Sequence, residues 1–376
     1  MHFSRTIAGG AQECESESKF RRGERPWLSS ARLAAIAFAC IPNVGTAAAQ
    51  PRQEPPIVLM RQGAFEVGGR VLSDDKGTLS CDHGYVEYQI PVKARAVALF
   101  MWHSSSAKVW QNRWDGGEGY QSIFLRRGFP VYLWDGPRVG RGNWGCESYT
   151  YTPQTGRDQG NFVAWRLGAK YPEWFPGVQF PTGDPKAWEQ ATRARYDEFD
   201  TVENAELETD AAAKAIDQIG PSVLVTNSAG GWRALLTALK TKSDNVKAIV
   251  AYENPGFVFP EGQGPQLEPG PFGPVYVPIA TFKKLTRFPI QFVWGDNVDK
   301  SPSWTKHLEN CRQFIDLVNA NGGHAEILQL PTVGLKGNTH IPFADLNNVA
   351  VADQLSAFLH RNELDLRVAA SHEAKR

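Results

Sequence analysis

The chain has 376 residues, 42% of them hydrophobic, with 40 basic and 40 acidic side chains and a formal net charge of zero. That length can bury a substantial core, in one large α/β domain with insertions or in two small ones. The charge balance lacks the concentrated positive field that nucleic acid or an acidic membrane demands, so neither is expected as a partner.

Residues 1–49 read as a leader rather than as part of a fold. KFRRGERP (19–26) is basic, LAAIAFACI (33–41) is a short apolar run and GTAAAQ (45–50) offers an A-x-A cleavage site. That is the order of a secretory signal, with cleavage near Ala49 and an exported, periplasmic or secreted product. The apolar run is too short to span a bilayer, so no stable membrane insertion is expected. Cleavage leaves Cys81, Cys146 and Cys311. Export permits a disulfide, and a Cys81–Cys146 pair and three buried thiols are the two readings. No C-x-x-C or H-x-x-x-H spacing points to a metal.

From about residue 57, EVGGRVL (66–72) and YVEYQIPV (85–92) predict an antiparallel pair joined by a Gly/Asp-rich turn region. AVALFMW (96–102) is a strand covered on both faces. SIFLRRG (122–128) ends a helix at glycine, and PVYLWD (130–135) is the next strand. Residues 145–200 mix aromatic, glycine, proline and charged residues without a period, as in an inserted cap. A helix with Ala212, Ala215, Ile216 and Ile219 on one face then runs to Gly220. SVLVT (222–226), a helix through Trp232–Lys240 and KAIVAY (247–252) follow. The stretch 254–278 is too rich in Pro and Gly for regular structure, and loops of that length are often functional. FPIQFVW (288–294), a helix carrying Trp304, Leu308, Cys311, Ile315 and Val318, AEILQL (325–330) and a closing helix over 347–361 complete the chain. Strand–helix–strand repetition of this kind predicts an α/β fold, a mostly parallel sheet with helices on both faces. Residues 50–376 are expected to form that single domain.

In such sheets, chemistry sits on the loops at the carboxyl ends of the strands. Ser228 in TNSAGG stands between a strand and a helix, the setting of a nucleophile elbow. Ala229, Gly230 and Gly231 are small where strand and helix must approach closely. A serine there is also a common end to a buried strand, so the motif needs its neighbours. His340 in GNTHIPF, after the last strand and before the final helix, is positioned as the base. An orienting acid could be Glu253 in AYENPG, or Asp296 or Asp299 in WGDNVD; the later loop is the more usual place. HSSS (103–106) is the candidate oxyanion loop. The N–H of Ser105, or alternatively of Ser104, would pair with that of Ala229 around a developing oxyanion. DGPRVGRG (135–142) lacks both the G-x-G-x-x-G register and a P-loop lysine and reads as a structural turn. Trp102, Trp110, Trp144 and Trp165 are candidate pocket liners, though each reads first as ordinary core or cap packing.

These residues resemble the α/β-hydrolase superfamily and, within it, the esterase 713 family of bacterial esterases. The resemblance covers roughly residues 60–362. It rests on YQIP, the H-x-x-x oxyanion loop, T-x-S-x-x-G, a Glu-Pro-Gly-like loop, WGD, and GNTH followed by D-x-NN. It implies a Ser-Glu-His triad of Ser228, Glu253 and His340, which moves the acid from Asp296 to Glu253. The family carries adjacent, mutually bonded cysteines where Ser105 and Ser106 stand, so nothing of that disulfide transfers. Asn254 also separates the glutamate from Pro255. The expectation is an ester or lactone hydrolase needing no cofactor, with a small-molecule substrate and homo-oligomerisation left open. Perhydrolysis, C–C bond hydrolysis and a non-catalytic binding protein on the same fold are the rivals.

Overall fold

The computed structural model describes residues 54–367 apart from Ser104, Asn143, Tyr151, Asp197, Glu198, Pro269 and Pro271. The leader expected over 1–49 therefore lies outside the described residues.

The chain opens with β1 (Leu59–Asp74) and β2 (Gly77–Pro91), an antiparallel hairpin. It continues through β3 (Ala98–His103), α1 (Tyr120–Arg126) and β4 (Val131–Asp135). The 145–200 segment contributes α2 (Arg157–Ala164), a small hairpin of β5 (Gly168–Lys170) and β6 (Glu173–Trp174), and α3 (Pro185–Arg193). Then come α4 (Val202–Ile219), β7 (Ser222–Asn227), α5 (Ala229–Lys240) and β8 (Val246–Tyr252). β9 (Val258–Pro260), β10 (Val275–Val277) and α6 (Ile279–Phe282) lead to β11 (Pro289–Trp294), α7 (Pro302–Ala320), β12 (His324–Gln329) and α8 (Asn348–Arg361).

Eight strands form one sheet in the order β1-β2-β4-β3-β7-β8-β11-β12. β1/β2 and β2/β4 are antiparallel, and every later pairing is parallel. The continuous apolar runs are explained by burial on both faces. On β3, Phe100 and Trp102 enter one core with Leu224 of β7, Ile216 of α4, Trp232 and Leu235 of α5 and Phe314 of α7. Leu99 and Met101 point to the opposite core, with Val223, Val225, Phe124 of α1 and Phe358 of α8. The period-two alternation of strand side chains thus supplies both layers from one run of sequence. Each fully buried Leu, Ile or Phe contributes roughly 1.5–3 kcal/mol before conformational entropy is charged against it.

Local signals fix the helix ends. Thr201 caps α4 by accepting from Asn204 N at 3.1 Å. α1 closes at Gly128, with φ +85°, where Gly128 N donates to Leu125 O and Phe129 N to Phe124 O. Only a residue tolerant of the left-handed region ends a helix this way at low cost.

Two expectations need correction. The stretch between residues 72 and 85 is not a long turn region. Both strands run through it and reverse at Asp75–Lys76, forming a tip whose side chains are exposed. Ladder hydrogen bonds hold that tip without apolar burial, so hydrophobic patterning does not register it. Within 254–278, β9 and β10 pair in parallel, so the segment holds regular structure despite its Pro and Gly content.

Residues 145–200 build an aromatic cluster in which Phe162 meets Tyr171, Trp174 and Trp188 at ring-centroid distances of 5.3, 4.8 and 5.7 Å. Cys81 on β2 is disulfide-bonded to Cys146 at the start of this segment, while Cys311 is a buried free thiol. Among the described residues, no helix is long and apolar enough to cross a membrane.

Candidate active site

The turn after β7 carries Ser228 with φ +54° and ψ −137°. A non-glycine residue there costs of order 1–3 kcal/mol, so surrounding structure must hold it. Ser228 N donates to Tyr252 O at 3.0 Å and Gly231 N donates to Ser228 O at 2.9 Å. The small residues after it are needed for space. A Cβ on Gly230 would lie 2.9 Å from Trp102 O, and one on Gly231 would lie 2.7 Å from Asn254 Oδ1. Ala229 begins α5, so its N–H is among those with no intrahelical acceptor.

Ser228 and His340 line one cavity of about 320 Å³, together with His103, Trp165, Arg195, Trp304 and His307. A volume of this size suits a small molecule. Trp165 is thus a liner, as the sequence allowed. Trp102 and Trp110 are core residues, and Trp144 is 60% exposed. Trp304, which fits the helical pattern of α7 as a core residue, is the liner that patterning missed.

His340 is held by its backbone. His340 N donates to Trp165 O at 3.0 Å, and Asn227 Nδ2 donates to His340 O at 2.9 Å. Its loop is tied by the residues of the GNTH…D-x-NN motif. Asp345 accepts from Thr339 N at 2.7 Å, from Thr339 Oγ1 at 2.9 Å and from Asn338 Nδ2 at 3.1 Å. Asn338 and Asn347 exchange amide hydrogen bonds at 2.7 and 3.1 Å. Burial pushes the Asp345 carboxyl up to about 7 in spite of these donors.

Of the three acids considered, Glu253 is the one near His340: its Oε2 lies 3.7 Å from Nδ1, too long for a formed hydrogen bond. The residue is fully buried, in the left-handed region at φ +54°, with its N–H on Val293 O. Its Oε1 accepts from Gly295 N and faces Arg166 Nη2 at 2.7 Å. Burial alone would raise this carboxyl, but Arg166 and His340 outweigh burial and hold it below the usual range. Asp296 is occupied otherwise, accepting from Asn297 N and Gly337 N at 2.8 Å each. Asp299 is exposed beside Lys300.

The candidate oxyanion loop differs from its simplest reading. Ser105 N donates to His103 Nδ1 at 3.0 Å, so this N–H is engaged within the loop; Ser104 lies outside the described residues. The loop is anchored from DGPRVGRG, where Asp135 Oδ1 accepts from Ala107 N at 3.2 Å and Oδ2 from Arg141 Nε at 2.7 Å. That stretch is a structural turn, as its sequence predicts.

Burial, reinforced by nearby cations, lowers the His103 and His340 imidazoles below their ordinary value; Glu253 opposes this at His340. A neutral imidazole can accept a proton, and a serine hydroxyl sharing its cavity is a group that can supply one. Arg166 is a participant with no sequence signal: one arginine in an aperiodic segment, whose pairing depends wholly on how that segment folds. Among the described residues no group of three or more His, Cys, Asp or Glu could hold a metal ion.

The fold is that of the α/β-hydrolases. A bacterial esterase solved at atomic resolution aligns with a TM-score of 0.70 and 26% identity, covering 83% of this chain and 99% of its own. The probable secreted lipase phiG of a fungal species is 24% identical over 320 residues, which are 74% of this chain and 85% of that protein. No family model matches the chain.

Proposed function

We propose that this protein is a carboxylic ester hydrolase that cleaves an ester or lactone through an acyl-enzyme on Ser228. The observation that carries the reading is a strained serine at the strand–helix turn, sharing a cavity with a buried histidine backed by a buried glutamate. His340 takes the Ser228 proton as the serine oxygen attacks the carbonyl carbon. Glu253 holds the imidazole and stabilises its cation. The 3.7 Å separation is the long resting form of a contact that tightens as positive charge develops on the ring. The N–H of Ala229, at the head of α5, receives the oxyanion. Ser105 N–H would join it by leaving His103 Nδ1. His340 returns its proton to the leaving alkoxide, then activates the water that releases the acid.

Export fits the basic-apolar-cleavage order of residues 19–50 and the name of the fungal relative, a probable secreted lipase. Treatment with a fluorophosphonate, followed by peptide mass mapping, tests the nucleophile: the adduct is expected on Ser228. A folded protein with no adduct there overturns the reading and leaves a binding protein in its place. p-Nitrophenyl esters of graded length, run beside a lactone panel, then define the acyl group.

A further inference from the structure

Three consecutive residues at the end of α2 grip the machinery from the 145–200 segment. Ala164 O accepts from Trp304 Nε1 at 2.8 Å, and Trp165 O accepts from His340 N at 3.0 Å. Arg166 follows at φ +56°, fully buried, a backbone conformation a non-glycine residue holds only under constraint. Its guanidinium makes three different contacts. Nη2 faces Glu253 Oε1 at 2.7 Å, Nε donates to Asp296 O at 2.9 Å, and Cζ lies 5.2 Å from the centre of the Trp304 ring. Trp304 in turn lies 4.6 Å, centroid to centroid, from the His340 ring.

An unpaired carboxylate buried this deeply would be strongly disfavoured, and a lone buried guanidinium equally so. Each therefore fixes the other. With Oε1 committed to Arg166 and Gly295 N, only Oε2 remains for His340 Nδ1. Arg166 and Gly295 N together thus set which carboxylate oxygen meets the histidine, and the guanidinium charge favours the ionised carboxylate.

We propose that Arg166 is a positioning residue for the reaction, through which the 145–200 segment sets the orientation of Glu253 toward His340. The proposal rests on the reading of Ser228, Glu253 and His340 as the triad. A fork is needed rather than a point charge, because one planar group must reach a carboxylate, a carbonyl and an aromatic face together. The electrostatic consequence follows from what faces His340: Glu253 from the end of β8, Arg166 and Arg195 from the 145–200 segment, His103 from the end of β3 and His307 from α7. Asp345, in the histidine's own loop, feels the charge of Glu253. Arg166 opposes protonation of His340, so removing its charge makes the imidazole easier to protonate.

The test compares R166M, R166K and wild type, with kcat normalised to fluorophosphonate-titrated sites so that unfolded protein is not counted. R166M should lose roughly 10–100-fold in kcat with KM little changed, the scale of a misplaced catalytic group. Its acidic limb in kcat/KM should move to higher pH. R166K keeps the charge, so its limb should stay near that of wild type while kcat recovers only in part. In an E253Q background, R166M should cost no further kcat, since no carboxylate is left to hold. Wild-type kcat per titrated site and an unmoved limb in R166M would overturn the proposal. So would additive losses in the double variant. If R166M yields no folded protein, R166K decides: a reduced kcat supports the role and a wild-type kcat refutes it. A wild type that never labels on Ser228 defeats the hydrolase reading instead, and the two failures are therefore distinct.

Discussion

In the proposed mechanism the strained turn, the proton acceptor and the oxyanion donor meet at Ser228, so S228A should lower kcat by at least about a thousandfold while the protein stays folded. Loss of less than tenfold in ester turnover would point to another nucleophile. The acid is tested by substitutions that keep shape. E253Q should cripple turnover, because an amide cannot balance the imidazolium, and it leaves Arg166 facing a neutral group. D296N should instead act mainly on stability, since Asp296 serves the amides of Asn297 and Gly337. The reverse ranking in kcat would reassign the acid. Gly295 of the WGD motif has no room for a side chain: a Cβ would lie 2.6 Å from Asn338 O, 2.7 Å from Thr339 O and 3.1 Å from Glu253 Oε1. G295A should cost about 1–3 kcal/mol in denaturant unfolding and reduce kcat as well, because the His340 loop must shift. An unchanged midpoint and unchanged kcat would show that the loop yields freely.

Among the elements, the antiparallel hairpin and the 145–200 segment are joined covalently. The Cys81–Cys146 bond closes a separation of 65 residues, and Asp82 beside it accepts from Cys146 N at 3.2 Å and pairs with Arg138 at 2.8 Å. A cross-link of that span stabilises chiefly by restricting the unfolded chain, by about 2–4 kcal/mol. C146S, or reduction of the wild type, should lower Tm by roughly 5 °C or more with kcat per titrated site preserved. Identical melting with and without reductant would contradict this. The regular elements were legible in the sequence wherever burial imposes a pattern: β3, β7, β8 and β11 as apolar runs, α4 and α7 as periodic faces. The exposed half of the β1–β2 hairpin was not, because a ladder held by backbone hydrogen bonds leaves no hydrophobic signature. The β9–β10 pair escaped notice for a related reason, being three residues long and set among glycines and prolines.

For the whole molecule, the pH dependence of turnover follows from the interior. His340 titrates below the ordinary imidazole value, from burial first and then from Arg166 and Arg195, against the pull of Glu253. The sign is that of a depressed base: it is deprotonated and competent at neutral pH, and activity should fall only as pH drops below about 6.5, the usual imidazole range. A kcat/KM profile already half lost above pH 7 would contradict this environment.

What the sequence determined alone was the order of parts. Strand–helix alternation gives the parallel sheet, and a parallel sheet brings the loops after β3, β7, β8, β11 and β12 to one edge, where HSSS, TNSAGG, AYENPG, WGD and GNTH must gather. The tertiary structure decided what no local pattern encodes: that Glu253 and not Asp296 faces His340, that Ser105 N–H is engaged by His103, and that Arg166 enters from an aperiodic segment to pair with Glu253. The physical reason is range. Helix and strand patterns arise from burial repeating along neighbouring residues, whereas the partner of a buried charge is chosen by whichever opposite charge the completed fold brings within a few ångströms of it.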